Sequence, residues 1–196
     1  MRKSRLTMIA TLASIAAAFA VAPTANAATD YFLEVEGMAG ESMAVRDTID
    51  VNAFQWGAEN TTTISSATGG AGAGKTSFNR LEINKNIDVT TTALFQKLTT
   101  GQHIPSVELV ARKAGSSAPY LRYCLRTVFV TAQQQSGSGG DDAPQESVTF
   151  AFGSMQQQYT RQSATGAPMT NVFAGFDIVN MQTLTSYSNS CGGSRI

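Results

Sequence analysis

From Tyr31 onward, apolar and polar residues alternate with a period of two in run after run, and this periodicity limits what the chain can become. The cleanest run is Ser147 to Phe152, where Val148, Phe150 and Phe152 share one face. After an expected kink at Gly153 the alternation resumes through Met155, Gln157 and Tyr159. Successive side chains of a strand point to opposite faces, so such a run buries one side. Further strands are predicted over Tyr31–Glu36, Ile49–Trp56, Ser77–Ile83, Ser106–Arg112, Tyr120–Ala132 and Val172–Val179. The run from Tyr120 is long against a usual strand of about 5–6 residues, so a bend or bulge is expected within it. In Ile49–Trp56, Ile49, Val51 and Ala53 fall on one face and Phe54 and Trp56 on the other, which predicts protein on both sides.

One helix is predicted, Thr91–Leu98, with Leu94, Phe95 and Leu98 on a common face, an N-cap from Asp88 or a threonine, and Gly101 placed to end it. Segments 65–75, 133–142 and 162–171 read as loops rich in Gly, Ser, Gln or Pro. Many strands with one short helix give a mainly β, antiparallel barrel or sandwich.

The N-terminus reads as an export signal. Arg2, Lys3 and Arg5 precede an uncharged run from Leu6 to Ala22, followed by Pro23 and the small-residue triplet Ala25-Asn26-Ala27. Cleavage is expected between Ala27 and Ala28, by the general secretory route, to a periplasmic or extracellular destination. The apolar run is too short and too rich in Ala, Thr and Ser for a membrane span, which needs roughly 20 apolar residues. The expected organisation is a signal at 1–27, one domain at 28–185 and a flexible tail at 186–196.

The 14 basic and 14 acidic residues balance, and loss of Arg2, Lys3 and Arg5 leaves a net charge of −3. A slightly acidic domain without a basic run lacks the footprint of a nucleic-acid or membrane-surface binder. Two cysteines, Cys124 and Cys191, stand in the expected exported part. They allow either a disulfide, which would close a long loop worth roughly 4 kcal/mol, or two independent thiols.

Motifs for chemistry fail on context. Gly69-Gly70-Ala71-Gly72-Ala73-Gly74-Lys75-Thr76 spells the phosphate-binding loop of nucleotide hydrolases. That loop needs a buried strand before it and a helix starting at Lys-Thr. Here Thr61 to Ser66 is polar and Ser77 to Ile83 reads as strand. His103, the sole histidine, has no nucleophile elbow with it, and a capping role after the helix is expected. Asp141-Asp142 reads as a solvated turn, and Asn60-Thr61-Thr62 as a glycosylation sequon by spelling only. No catalytic, cofactor or metal site is predicted.

A set of short motifs follows a fixed order along the chain. It runs through Tyr31 to Gly37 with the turn Gly40-Glu41-Ser42, then Ile49-Asp50-Val51 and Trp56-Gly57, and Ser77-Phe78 after the Gly-rich loop. It continues through Leu94, Gly101, His103-Ile104-Pro105, Arg112-Lys113-Ala114-Gly115, Tyr120-Leu121, Leu125, Val128 and Val130. Glu146, Val148, Phe150, Phe152, Tyr159 and Phe176-Asp177 complete it. In order and spacing the set resembles one family, the Hcp tube proteins of bacterial type VI secretion. The resemblance implies a single-domain antiparallel β-barrel with one flanking helix, a homohexameric ring, and stacking of rings into a tube. It also implies a spike protein and effector cargo as partners, no cofactor and no enzymatic activity. By the same resemblance Gly69, Gly70, Gly72, Gly74, Lys75 and Thr76 belong to a loop that reaches toward neighbouring subunits. The signal and the cysteine pair depart from the family pattern. The alternative reading is a secreted monomeric β-barrel binding module that kept the fold and lost assembly.

Overall fold

The computed structural model describes residues 28–64, 71–72, 74–140, 142–163, 165–187 and 191. The expected signal at 1–27, together with Gly69, Gly70 and Asp141, lies outside them. The strands are β1 (Thr29–Val35), β2 (Ile49–Val51), β3 (Ala53–Gln55), β4 (Ala58–Asn60), β5 (Thr63–Ile64), β6 (Ala71–Gly72), β7 (Thr76–Phe78), β8 (Leu81–Asn86), β9 (Ile104–Lys113), β10 (Pro119–Ser136), β11 (Gln145–Gln162), β12 (Pro168–Asp177) and β13 (Gln182–Leu184). The helix α1 (Thr91–Thr100) stands between β8 and β9.

All pairings are antiparallel, and they close on themselves. β1 pairs with β9, β9 with β10, β10 with β11, β11 with β8, and β8 with β3. β2 returns to β1, with Leu33 opposite Ile49 and Tyr31 opposite Val51. β2 and β3 are two halves of one bent segment hinged at Asn52, whose N–H donates to the Asn84 carbonyl at 2.7 Å. The first half serves β1 and the second serves β8, so the cycle of strands is a barrel.

The hinge corrects one expectation. Ile49 and Val51 are buried, Asn52 and Ala53 are exposed, and Phe54 and Trp56 pack against the core. The extra residue shifts the alternation by one place, as a bulge does. Phe54 and Trp56 therefore share the core side with Ile49, where they meet Tyr31 and Tyr123 at ring distances of 5.2 to 5.7 Å. The apolar second face read from 49–56 does not exist.

β10 and β11 bend together. Thr127, at φ 52°, stands where Gly153 passes between the Arg126–Ser154 and Val128–Phe152 pairs. A Cβ on residue 153 would lie 3.2 Å from Thr127 Cβ and from Val179 Cγ2, so glycine gives the bend its room. The phase changes there on both strands: Tyr123 and Leu125 point inward before the bend, Val128 and Val130 after it. β10 and β12 exceed their predicted lengths, since β10 runs on to Ser136 and β12 already starts at Pro168, inside segments read as loops.

Gly40 shows why the 39–48 turn needs its glycine: a Cβ would sit 2.0 Å from the Thr48 carbonyl oxygen. That turn is held by the Ser42 hydroxyl, which donates to Asp50 at 2.6 Å.

The barrel holds α1 through a buried polar knot. Lys85 continues the inward row of Leu81 and Ile83, and its side chain is completely buried. Its ammonium lies 2.8 Å from both Asp88 and Glu146, and donates to the Asn86 carbonyl at 3.0 Å. Thr91, in the first turn of α1, donates to Glu146 at 2.9 Å, and Gln133 and Gln135 donate to the other Glu146 oxygen. Asp88 also accepts the Thr90 N–H and hydroxyl at 2.8 and 2.6 Å, which fixes the helix start. Gly101, at φ 66°, ends the helix in the left-handed conformation. Leu94 is fully buried, whereas Phe95, expected beside it, is 57 % exposed.

Burial alone would raise the Glu146 carboxyl, but the hydrogen bonds from Gln133, Lys85, Gln135 and Thr91 outweigh it and hold the group below its usual range. A depressed carboxylate contributes stability above its unfolded value of about 4.3 and loses it as pH falls further. Urea unfolding should therefore show stability dropping below about pH 4.3, with a flatter acid limb in Glu146→Gln. Lys85→Ala, which leaves Glu146 charged and unpaired, should cost about 3–5 kcal/mol at pH 7.

Candidate assembly surface

Beyond the bend, the 154–162 half of β11 leaves β8 and carries β12 instead, and β12 carries β13. The three strands overhang the barrel. Their register keeps Met155, Gln157 and Tyr159 on the side of Leu125, Tyr123 and Leu121, so the core-side face continues past the end of the core. Leu121, Tyr159, Val172 and Ala174 line one hollow of about 240 Å³ there. Trp56, Phe78, Met155 and Phe176 line a second of about 160 Å³. Tyr159 is 46 % exposed, Met169 55 % and Val172 56 %.

The edge of β12 is open as well. β13 pairs only with Gly175, Phe176 and Asp177, so residues 168–174 carry no outer strand among the described residues. An open edge beside exposed apolar side chains is a template for association.

A second projection stands next to it. β4 pairs with β7 and β5 with β6, separately from the main sheet, so these four strands form an arm. At its base the Asn79 N–H donates to the Gly57 carbonyl at 2.8 Å, and Phe78 stacks on Phe176 with centroids 5.7 Å apart. Lys75, Thr76, Arg80, Phe152 and Ile178 border a cleft of about 500 Å³ between arm and barrel. Gly72, Gly74, Lys75 and Thr76, assigned by resemblance to an inter-subunit loop, lie on this arm.

The structure scatters the candidates for chemistry. Thr76 opens β7, a strand, where the phosphate loop requires a helix. His103 does not cap α1; its exposed ring lies 6.0 Å from that of Phe129. Asn60 and Thr62 are exposed on the arm, with the Thr62 hydroxyl donating to Asn60 at 2.8 Å. No group of three or more metal-ligating side chains occurs among the described residues.

The outer face of β9 and β10 holds what sequence reading missed. Glu108, nearly fully buried, accepts Arg122 at 3.0 Å and the Tyr187 hydroxyl at 2.6 Å. Burial, then the Glu108 charge and hydrogen bond, push the Tyr187 phenol well above its ordinary value. Cys124 and Cys191 are joined as a disulfide, with Cα atoms 5.8 Å apart. Within 186–196, expected as a flexible tail, Tyr187 and Cys191 both contact this face; 188–190 and 192–196 lie outside the described residues. Only Cys191 had a readable signal, being one of two cysteines.

The family profile described as "Type VI secretion system effector, Hcp" matches residues 32–159. The chain belongs to the Hcp family. Protein hcp1 of Pseudomonas aeruginosa is 38 % identical over 89 residues, which is 44 % of this chain and 55 % of that relative. The matched stretch thus spans little more than half the length of this curated relative. A solved type six secretion system protein superposes with a TM-score of 0.76 at 29 % identity, covering 80 % of this chain and all of the other. The crystal structure of Hcp1 from Salmonella typhimurium gives 0.66 at 30 % identity, covering 80 % of this chain and 99 % of that one. The Hcp match begins in β1 and ends at Tyr159 in β11, so β12, β13, Tyr187 and Cys191 fall outside the profile-matched residues.

The arm generates a test of the phosphate-loop spelling. Lys75→Ala should leave stability within about 0.5 kcal/mol, as an exposed substitution does. Calorimetry with ATP and magnesium should register no binding by either form.

Proposed function

We propose that this Hcp protein is a structural, non-enzymatic subunit that associates with copies of itself into a closed ring, six by resemblance, which stacks into a type VI secretion tube. The observation that carries this reading is the overhang, where exposed Tyr159, Met169 and Val172 adjoin the open 168–174 edge. A monomer leaves this apolar surface in water; cyclic symmetry covers it in every copy at once by placing the same complementary surface from the next subunit against it. This replaces the 49–56 face, which is core, as the physical ground for association. The arm, with its cleft bordered by Lys75 and Arg80, supplies a second contact. A spike protein at the tube end and effector cargo in the lumen are the partners the family resemblance adds, without nucleic acid or cofactor.

The export reading belongs to the same proposal: the general secretory route, cleavage between Ala27 and Ala28, and no membrane attachment afterwards. N-terminal sequencing of exported protein should begin Ala-Thr-Asp-Tyr, and a Met1 terminus on exported protein would count against the signal.

Light scattering across a concentration series tests the assembly. Wild-type protein should show a ring mass, and Val172→Lys, an exposed change, should shift it toward monomer with folding stability held within about 0.5 kcal/mol. A persistent monomer mass for wild type at high concentration would overturn the ring and favour the secreted binding module.

A further inference from the structure

The disulfide lies where reagents cannot reach it. Cys124 is 0 % exposed and Cys191 1 %. Cys124 faces outward from β10, opposite Glu108 of β9 and Gln156 of β11, both nearly fully buried. Cys191 Sγ lies 3.5 Å from the Val107 carbonyl oxygen and 3.9 Å from that of Leu125, so its surroundings are β9 and β10 backbone. Four residues earlier, Tyr187 is fixed by its bond to Glu108 and by an edge contact with Phe173 of β12, ring centroids 6.0 Å apart.

Thiol–disulfide exchange requires a thiolate to approach one sulfur along the S–S axis, and a packed sulfur admits none. The bond therefore cannot be made or broken in the closed structure. Cys124 lies in the interior of the sheet, held between β9 and β11, whereas Cys191 follows β13 and takes part in no strand pairing among the described residues. Release of Cys191 and Tyr187 is thus the smallest motion that uncovers the bond. Sub-global openings of this kind need far less free energy than global unfolding.

We propose that Tyr187 and Cys191 form a latch, closed by oxidation only while these two residues are undocked and thereafter sealed by the Tyr187–Glu108 contact. In the closing step the Cys124 and Cys191 thiols give two electrons and two protons to an external disulfide, which leaves as a dithiol. Once Tyr187 docks, exchange is confined to rare openings, so the latched form outlasts its passage through an oxidising compartment, a step that rests on the proposed export. The latch does not depend on ring assembly.

Reduction kinetics test it on the purified protein. Dithiothreitol supplies the two electrons and two protons and ends as a cyclic disulfide, and freed thiols are trapped with a maleimide and counted by mass. The native bond should be reduced at least about a hundredfold more slowly than in the guanidinium-unfolded chain, at a rate insensitive to urea below the unfolding transition. Tyr187→Phe removes one hydrogen bond to a charged acceptor and should speed reduction about tenfold, with an unchanged circular dichroism spectrum. Reduction as fast as in the unfolded chain would overturn the latch. So would a rate that climbs with urea in parallel with global unfolding and ignores Tyr187→Phe.

Discussion

A single backbone hydrogen bond, from the Asn52 N–H to the Asn84 carbonyl, marks the point on which the architecture turns. Without the hinge that this bond marks, β2 would end one edge of a sheet and β3 would begin the other. With it, one seven-residue stretch serves β1 and β8 in succession and the sheet becomes a barrel. The bulge at Asn52 makes the two halves compatible, because it turns Phe54 and Trp56 to the core side occupied by Ile49 and Val51. Closure removes the exposed edges of the strands it includes. The openness left over is concentrated at the overhang of β11, β12 and β13.

The barrel interior is apolar except at one end, where Lys85 and Glu146 occupy positions that the strand period assigns to the inside. A buried ion pair is weak support for stability in itself, since desolvation opposes the attraction. Here the pair has a second consequence: it binds Asp88, Thr91, Gln133 and Gln135 into one network and so places α1. The opposite face of the sheet uses the same device around Glu108, with Arg122 and Tyr187 as partners. In both places a polar cluster sets where a peripheral segment docks on the strands.

Much of this was legible in the sequence. Alternation located nearly every long strand, the 91–98 helix was found with its Gly101 terminus, and the break at Gly153 was visible as a gap in the 148–159 pattern. The order and spacing of its short motifs carry the family likeness. The failures share one physical cause: local pattern does not report the partner. Asn52 reads as an ordinary polar strand residue, and only pairing with β8 shows it to be a bulge. Lys85 and Glu146 read as polar positions beside Leu, Ile, Val and Phe, although a strict period of two would have placed both inside. Tyr187 sits in a polar tail, and nothing near it in sequence points to Glu108, 79 residues away.

Membership of the Hcp family and the surface left uncovered by the barrel point the same way, toward a subunit whose overhang is completed by a copy of itself. Electron micrographs of the purified protein from Ala28 onward test that claim most directly. The account predicts annular particles with six-fold symmetry and a central opening. Fields of isolated single-barrel particles at concentrations well above those of secretion would contradict it.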